Sequence, residues 1–431
     1  MCFHSFHQTT NIPAELEAII NESLRGFFTN SFFHIYIDGE FNPNISEVRD
    51  KKDKGTALHE YTHYIQNIGT LWGLYESIYH YEVLIEFKNA IINSTNINRP
   101  FKVPLSEALL KKKRIIHHGN GTTDYLNWII DDKMPLTYEI IKVKINDKDR
   151  FQVNVSFTLE DGSNHTIQLG AHIIKESMAA LYQSLLDPDT THYDIPYNLV
   201  QKLTSVYFPN TAKDIKKLIC ACHASLFSMN PGLSLIEIIK GLEEKPNMSG
   251  FDFFNEYAHK RYVSTDKDEI ILMTEFFNDM VDRFKYLLKS NLLSPLDYID
   301  AALDRVKLSN SFYPFLSILY ERDIFNEKDF SELIQYYGIP YIQTSNFGYH
   351  FPQGLSEEGQ NGSSDVLELI AQEALFFNFV NPNKISVCPL YYMCQNSKYE
   401  KEECFDKPWE GQECSYSIVS SPLKLHTKNI V

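Results

Sequence analysis

The segment Ala57-Leu58-His59-Glu60-Tyr61-Thr62-His63 sets two histidines four positions apart, with a glutamate directly after the first. On an α-helix, side chains four apart point the same way, one above the other, so His59 and His63 would bring their imidazoles to a common point. That arrangement suits a single zinc ion. From its place beside the first histidine, the Glu60 carboxylate reaches a metal-coordinated water rather than the metal itself. The chemistry on offer is metal-assisted hydrolysis, provided that a third ligand completes the set and a fourth position stays open.

Elements must exist to carry these residues. Leu58, Tyr61, Ile65, Trp72, Tyr75, Tyr79, Val83 and Phe87 recur at intervals of three, four or seven, which predicts one helix from Thr56 to about Ile92. Gly69 and Gly73 could bend that helix, but neither forces a break. Upstream, "PAELEAIINESLRGFF" predicts an opening helix and "SFFHIYIDGEF" a strand and turn, joined to the motif by the polar connection "NPNISEVRDKKDKG". Between Asn93 and Gln168 the texture changes to loops and strands. There "EIIKVKI", "RFQVNVSFTL" and "HTIQL", separated by "NDKD" and "EDGSN", predict a small antiparallel meander. Gly170 then opens a second strong helix, "AHIIKESMAALYQSLL", stopped by "DPD". From there to about Phe379 the pattern is mostly amphipathic helix punctuated by "MNPG", "EKPNMSG" and "GIPY". The expected class is α+β, predominantly helical.

Through His59-Glu60-Tyr61-Thr62-His63 the chain resembles the zincin metallopeptidases. The resemblance covers that helix and a second one bearing a third ligand, not the whole chain. It implies a zincin-like catalytic unit with a small antiparallel sheet, one catalytic Zn2+, and hydrolysis of peptide bonds in a protein or peptide substrate. Two glutamates compete for the third position. Glu82 matches the spacing of the aminopeptidase-type gluzincins, whereas Glu176, in "KESMA", is similar to the glutamate helix of many others. On one continuous helix Glu82 would stand ~28 Å from His63, so Glu176 is favoured. The metzincin continuation is absent, because "QNIGTLWG" after His63 lacks its glycine and histidine. Glu60 would take a proton from water and hand it to the leaving amine. A further donor usually steadies the oxyanion, and the candidates are His172, one turn before Glu176, and Tyr193 or Tyr197 in "THYDIPYN". The "FFHIYID" strand is the candidate sheet edge on which a peptide would lie.

The organisation expected is a catalytic unit over 1–250 with a β-rich insertion at about 93–168, a helical domain over 251–380, and a cysteine-containing tail over 381–431. In that tail Cys388, Cys394, Cys404 and Cys414 are enough thiols for a second, structural Zn2+ or a pair of disulfides, although the spacing is not the usual pair of knuckles. Cys220 and Cys222, in the apolar run "LICACHASL", read as small core residues. The balance of 40 basic against 56 acidic residues argues against a broad nucleic-acid-binding face. The short run from Lys111 to Arg114 reads as a solvated loop or helix end. No apolar run approaches the ~20 residues that span a bilayer, and no secretory signal is recognisable, so a cytoplasmic protein is expected. Two rival readings remain beside the peptidase: a zinc hydrolase acting on another bond, and a catalytically silent zinc-binding or protein-interaction module.

Overall fold

The computed structural model describes residues 26–28, 33–123, 127–264, 270–308, 313–345, 349–350, 352, 364–380 and 415–430. The opening helix expected before residue 26 lies outside them. Gly26–Phe28, expected as its last turn, instead form strand β1, which pairs antiparallel with β2 (His34–Ile37).

The motif helix α1 (Lys51–Gly69) starts five residues earlier than periodicity suggested, because the Asp50 side chain accepts from Lys52 N at 2.9 Å and caps it. It does not run on to Ile92. The chain breaks at Thr70, which has extended backbone angles, and resumes as α2 (Leu71–Asn93). Thr70 makes this corner with one hydroxyl, which donates to Gln66 O at 2.6 Å and accepts from Gly73 N at 3.0 Å. A Cβ on Gly73 would stand 2.2 Å from Gln66 O, so the second helix can fold against the first only with glycine there. Apolar periodicity passes through this break unaltered, since both helices bury the same kind of face.

The region expected to hold loops and strands contains strand β3 (Asn96–Ile97) and a helix, α3 (Glu107–Asn120), before the meander begins. Lys111 to Arg114 lie within α3, and Lys112 pairs with Glu82 at 2.5 Å. The meander itself forms as expected: β4 (Thr137–Ile145), β5 (Lys148–Thr158) and β6 (Asn164–Leu169) are antiparallel in that order. Asn146 and Asp147 link the first two with φ of 49° and 62°, the left-handed pair that a two-residue hairpin turn demands. Helix α4 (Ala171–Leu186) follows Gly170 directly, where a Cβ would stand 2.5 Å from the carbonyl of Asn120.

Beyond α4 the chain is a run of helices: α5 (Leu199–Tyr207), α6 (Pro209–Ala212), α7 (Ile215–Ser225), α8 (Pro231–Glu244) and α9 (Gly250–Lys260). The hairpin of β7 (Tyr262–Ser264) and β8 (Ile270–Leu272) leads to α10 (Met273–Lys289), α11 (Tyr298–Val306), α12 (Pro314–Glu321) and α13 (Glu327–Tyr337). Strands β9 (Tyr341–Thr344) and β10 (Tyr349–His350), helices α14 (Ser364–Val380) and α15 (Ser415–Ser420), and strand β11 (Asn429–Ile430) complete the described chain. The class is therefore α+β and predominantly helical. No helix among the described residues is long and apolar enough to cross a membrane.

Two long-range arrangements matter for the motif helix. Strand β2 pairs in parallel with β9, giving a sheet of order β1-β2-β9-β10 against which α1 packs. β2 is thus interior, not the exposed edge expected of "FFHIYID". On the same side, the Tyr61 hydroxyl donates to Gly338 O at 2.8 Å and that of Tyr64 to Tyr337 O at 3.2 Å. One hydrophobic core runs from Phe33 to Ile370 and crosses residue 250 without interruption. A smaller one joins Phe87 and Ile91 of α2 to α14 and to residues 416–425. The four tail cysteines expected to bind metal lie outside the described residues, whereas Cys220 and Cys222 are buried in the larger core.

His223 of α7 sits in that core between the rings of Tyr313, at 5.0 Å, and Phe227 and Phe254, both at 5.5 Å. Neither ring nitrogen has a hydrogen-bond partner, and burial pushes its pKa down to about 3. Below pH 6.5 only the unfolded chain takes up this proton, so acidification favours unfolding by about 1.4 kcal/mol per pH unit until the folded pKa is reached. His223→Phe should therefore reduce the stability lost between pH 7 and pH 5 by about 2 kcal/mol. Denaturant unfolding at the two pH values measures this, and an unchanged pH slope would refute it.

Candidate metal centre

Helices α1 and α4 run alongside one another in opposite directions, with Gly55 at one end, where a Cβ would lie 2.8 Å from Asp187 Cβ and 3.1 Å from Gln183 Cγ, and Gln66 beside Lys175 at the other. That close approach sets His59 and His63 of α1 against Glu176 of α4. Each imidazole turns its Nε2 to the same carboxylate oxygen, Glu176 Oε2, at 3.5 Å, and the ring centroids of the two histidines are 5.0 Å apart. All three ligand atoms lie within 4.8 Å of one another, and this is the one such group among the described residues. Ligand atoms around a tetrahedral zinc at ~2.0–2.1 Å stand ~3.3 Å apart, so the two 3.5 Å separations fit that ion closely. Two imidazole nitrogens and one carboxylate would also leave a fourth position on such an ion, as a catalytic zinc site requires.

Two further interactions orient the set. His63 Nδ1 bonds Gln66 Oε1 at 2.8 Å, which commits that nitrogen and presents Nε2 to the centre. The Gln66 amide in turn donates to the carbonyl of Lys175, the residue before Glu176, at 3.0 Å. One buried glutamine thus fixes a ligand on one helix to the backbone of the next. Lys175 adds a second tie, with Nζ 3.0 Å from Asn67 Oδ1 and 2.5 Å from Glu76 Oε2.

The electrostatics follow from burial and proximity. Burial alone would raise the Glu176 pKa, but the His63 charge and hydrogen bonds from both imidazoles hold the carboxyl well below its usual range. Burial pulls His63 down, yet the adjacent Glu176 and Glu60 carboxyls and Gln66 bring it up to about 9. At His59 burial prevails and the pKa is lowered. Glu60 is 5% exposed, and its Oε2 has no hydrogen-bond partner. Burial, opposed by His63 and assisted by Glu176, brings its pKa up to about 8.

Of the proposed oxyanion donors, Tyr197 stands with its ring 6.0 Å from that of His59. Burial and the charges of Glu176 and Glu60 push its hydroxyl upward, so it stays protonated. His172 is largely buried on α4 and feels the charges of Glu176 and His63. Tyr193 is 39% exposed and has no ring contact with the histidines among the described residues. Glu82 is not part of the group: its carboxylate pairs with Lys112 at 2.5 Å and Arg283 at 3.4 Å. Sequence reasoning passed over Gln66 and His192. The His192 ring lies 6.2 Å from His59 and 4.9 Å from Tyr197, with Nε2 buried and unpartnered. Burial lowers its pKa to about 4, so it is a neutral imidazole. Its loop is held in place, since Asn198 Nδ2 donates to His192 O at 3.0 Å and Ser177 Oγ of α4 to Pro196 O at 3.0 Å. Its only sequence signal was a histidine inside the "THYDIPYN" segment considered for its tyrosines.

No family model, curated protein or solved structure matches this chain.

Metal analysis of the purified protein should find one equivalent of zinc that is lost in His63→Ala and Glu176→Ala but retained in Glu82→Ala, whatever the tail cysteines bind. Gln66→Leu should weaken zinc binding by about 10–100-fold while the fold persists. Equal zinc content in Glu176→Ala and the parent would refute the ligand set. At the helix contact, Gly55→Val should lower unfolding stability by about 1–3 kcal/mol and weaken zinc binding together, because the two ligand helices must separate.

Proposed function

We propose that the chain is a zinc-dependent metallopeptidase acting on a cytoplasmic protein or peptide, with zinc held by His59, His63 and Glu176. The observation that carries this reading is the convergence of those three side chains beside a buried Glu60 whose Oε2 bonds nothing. A zinc ion in this position supplies a Lewis acid that polarises the peptide carbonyl and acidifies water.

The remaining work falls to the chain itself. Glu60 follows the first histidine on α1, and in its ionised form, which its pKa of about 8 favours towards alkaline pH, its unpartnered oxygen can take the proton of the attacking water. The same carboxyl then returns the proton to the departing amine. Tyr197 keeps its hydroxyl proton, and neutral His192 carries one ring N–H, so both are donors available to the oxygen on which negative charge develops. His172 sits on the Glu176 helix one turn before the ligand and supports that side of the site. Burial of the group excludes competing solvent and strengthens each of these interactions.

Glu60→Gln is the decisive variant. It should bind zinc as the parent does and lose about 10²–10⁴-fold in the rate of cleaving denatured casein and mixed peptide pools. Zinc binding with ester but no peptide hydrolysis would turn the reading to a different zinc hydrolase. Parent protein that holds zinc and turns over nothing would be a binding module.

A further inference from the structure

A cavity of about 330 Å³ opens beside the metal centre. It shares His192 with that centre: this ring lines the cavity and also packs 6.2 Å from His59. A second link is α4. Ala180 and Ser184, which line the cavity, follow Glu176 by four and eight residues, ~6 and ~12 Å along the axis and turned progressively round the flank of the helix from the ligand. A bound peptide advances ~3.3 Å per residue, which puts the cavity within reach of side chains one or two positions from a carbonyl at His59, His63 and Glu176.

The lining has a definite chemistry. Ala180 and Leu181 are buried and, with Ile215, form an apolar floor. Ser184, Thr190 and Asn198 contribute uncharged hydrogen-bonding groups to the walls, and Thr191 and Gln201 stand exposed at the mouth. Among the described residues none of the lining side chains is acidic, lysine or arginine. The walls are fixed before any ligand arrives: Gln183 Nε2 donates to Thr190 Oγ1 at 3.4 Å, and Asn198 holds the His192 carbonyl at 3.0 Å. At the lower end of the ~300–1,000 Å³ range of ligand pockets, the cavity suits one side chain rather than a length of chain. An apolar floor with uncharged polar walls rejects a desolvated charge. The walls already bond the protein, Ser184 Oγ donating to Leu181 O at 2.7 Å, Thr190 Oγ1 accepting from Gln183 and Asn198 Nδ2 donating to His192 O. What Ser184 Oγ and Asn198 Oδ1 still offer is acceptor lone pairs, which suit an amide N–H.

We propose that this cavity is a specificity subsite for one uncharged amide side chain, glutamine or asparagine, of a peptide bound at the metal centre. The proposal rests on the peptidase reading for the identity of the ligand, but not on catalysis. It is tested by retention of acetylated, amidated hexapeptide pools, each with one position fixed as Gln, Asn, Leu, Lys or Glu, on immobilised zinc-loaded Glu60→Gln protein. The Gln and Asn pools should be retained at least about tenfold more strongly than the Lys and Glu pools. Adding Ser184→Trp or, at the exposed mouth, Thr191→Trp should abolish that preference without changing zinc content. Adding Ser184→Asp should turn the preference towards Lys. Equal retention of all pools, no retention, or a preference indifferent to all three substitutions would overturn the subsite. Parent protein that shows the Ser184-dependent preference yet cuts none of the retained peptides would keep the subsite and end the hydrolytic reading.

Discussion

The close approach of two helices, tightest to any added side chain at Gly55, is the contact on which the candidate site depends. With no side chain there, α1 and α4 approach until imidazoles from one and a carboxylate from the other share a point in space. Three polar side chains so tightly grouped and buried are costly unless something compensates them. The compensation is mutual, since the histidines that Glu176 faces hold its carboxyl well below its usual pKa. Gln66 and Lys175 keep the helices from sliding, because each bonds across from one helix to the other.

The same arrangement assigns different tasks to similar residues. Glu176 and Glu60 are both buried carboxyls a short distance apart, yet one is held well below its usual pKa and the other is raised. The separation arises because both imidazoles face the first, while Glu60 Oε2 meets no donor. Environments that drive two acids apart in this way are a general means of giving one a fixed charge and the other a mobile proton. His192 and Tyr197, brought in by the loop after α4, add donors that carry no charge, so they do not compete with the histidines for Glu176.

Much of this was legible in the sequence, because it depends on local spacing. The histidine pair and the α4 helix with Glu176 each announce themselves within a dozen residues, as do the meander and its turns. What escaped depends on contacts between distant segments. The corner at Thr70 is invisible to apolar periodicity, and it undercuts the argument that Glu82 is too far along a single helix; Glu82 lies outside the group all the same, paired with Lys112 and Arg283. Helix α3 was hidden by its lysine-rich exposed face, although Ser106 at its start, whose Oγ accepts from Leu109 N at 3.4 Å, was an available signal. The position of β2 inside a sheet needed its partner β9, and the role of His192 needed a loop conformation that no short pattern encodes.

The parallel pairing of β2 with β9 brings together stretches separated by about three hundred residues of chain, and Tyr61 and Tyr64 grip the same late segment. During synthesis the histidine helix leaves the ribosome long before the backbone that will seat it. Until that backbone arrives, α1 has α4 to pack against but lacks the β9 side of its setting. A nascent or truncated chain therefore carries all three grouped side chains, His59, His63 and Glu176, without the late strand and backbone carbonyls that complete the packing around α1.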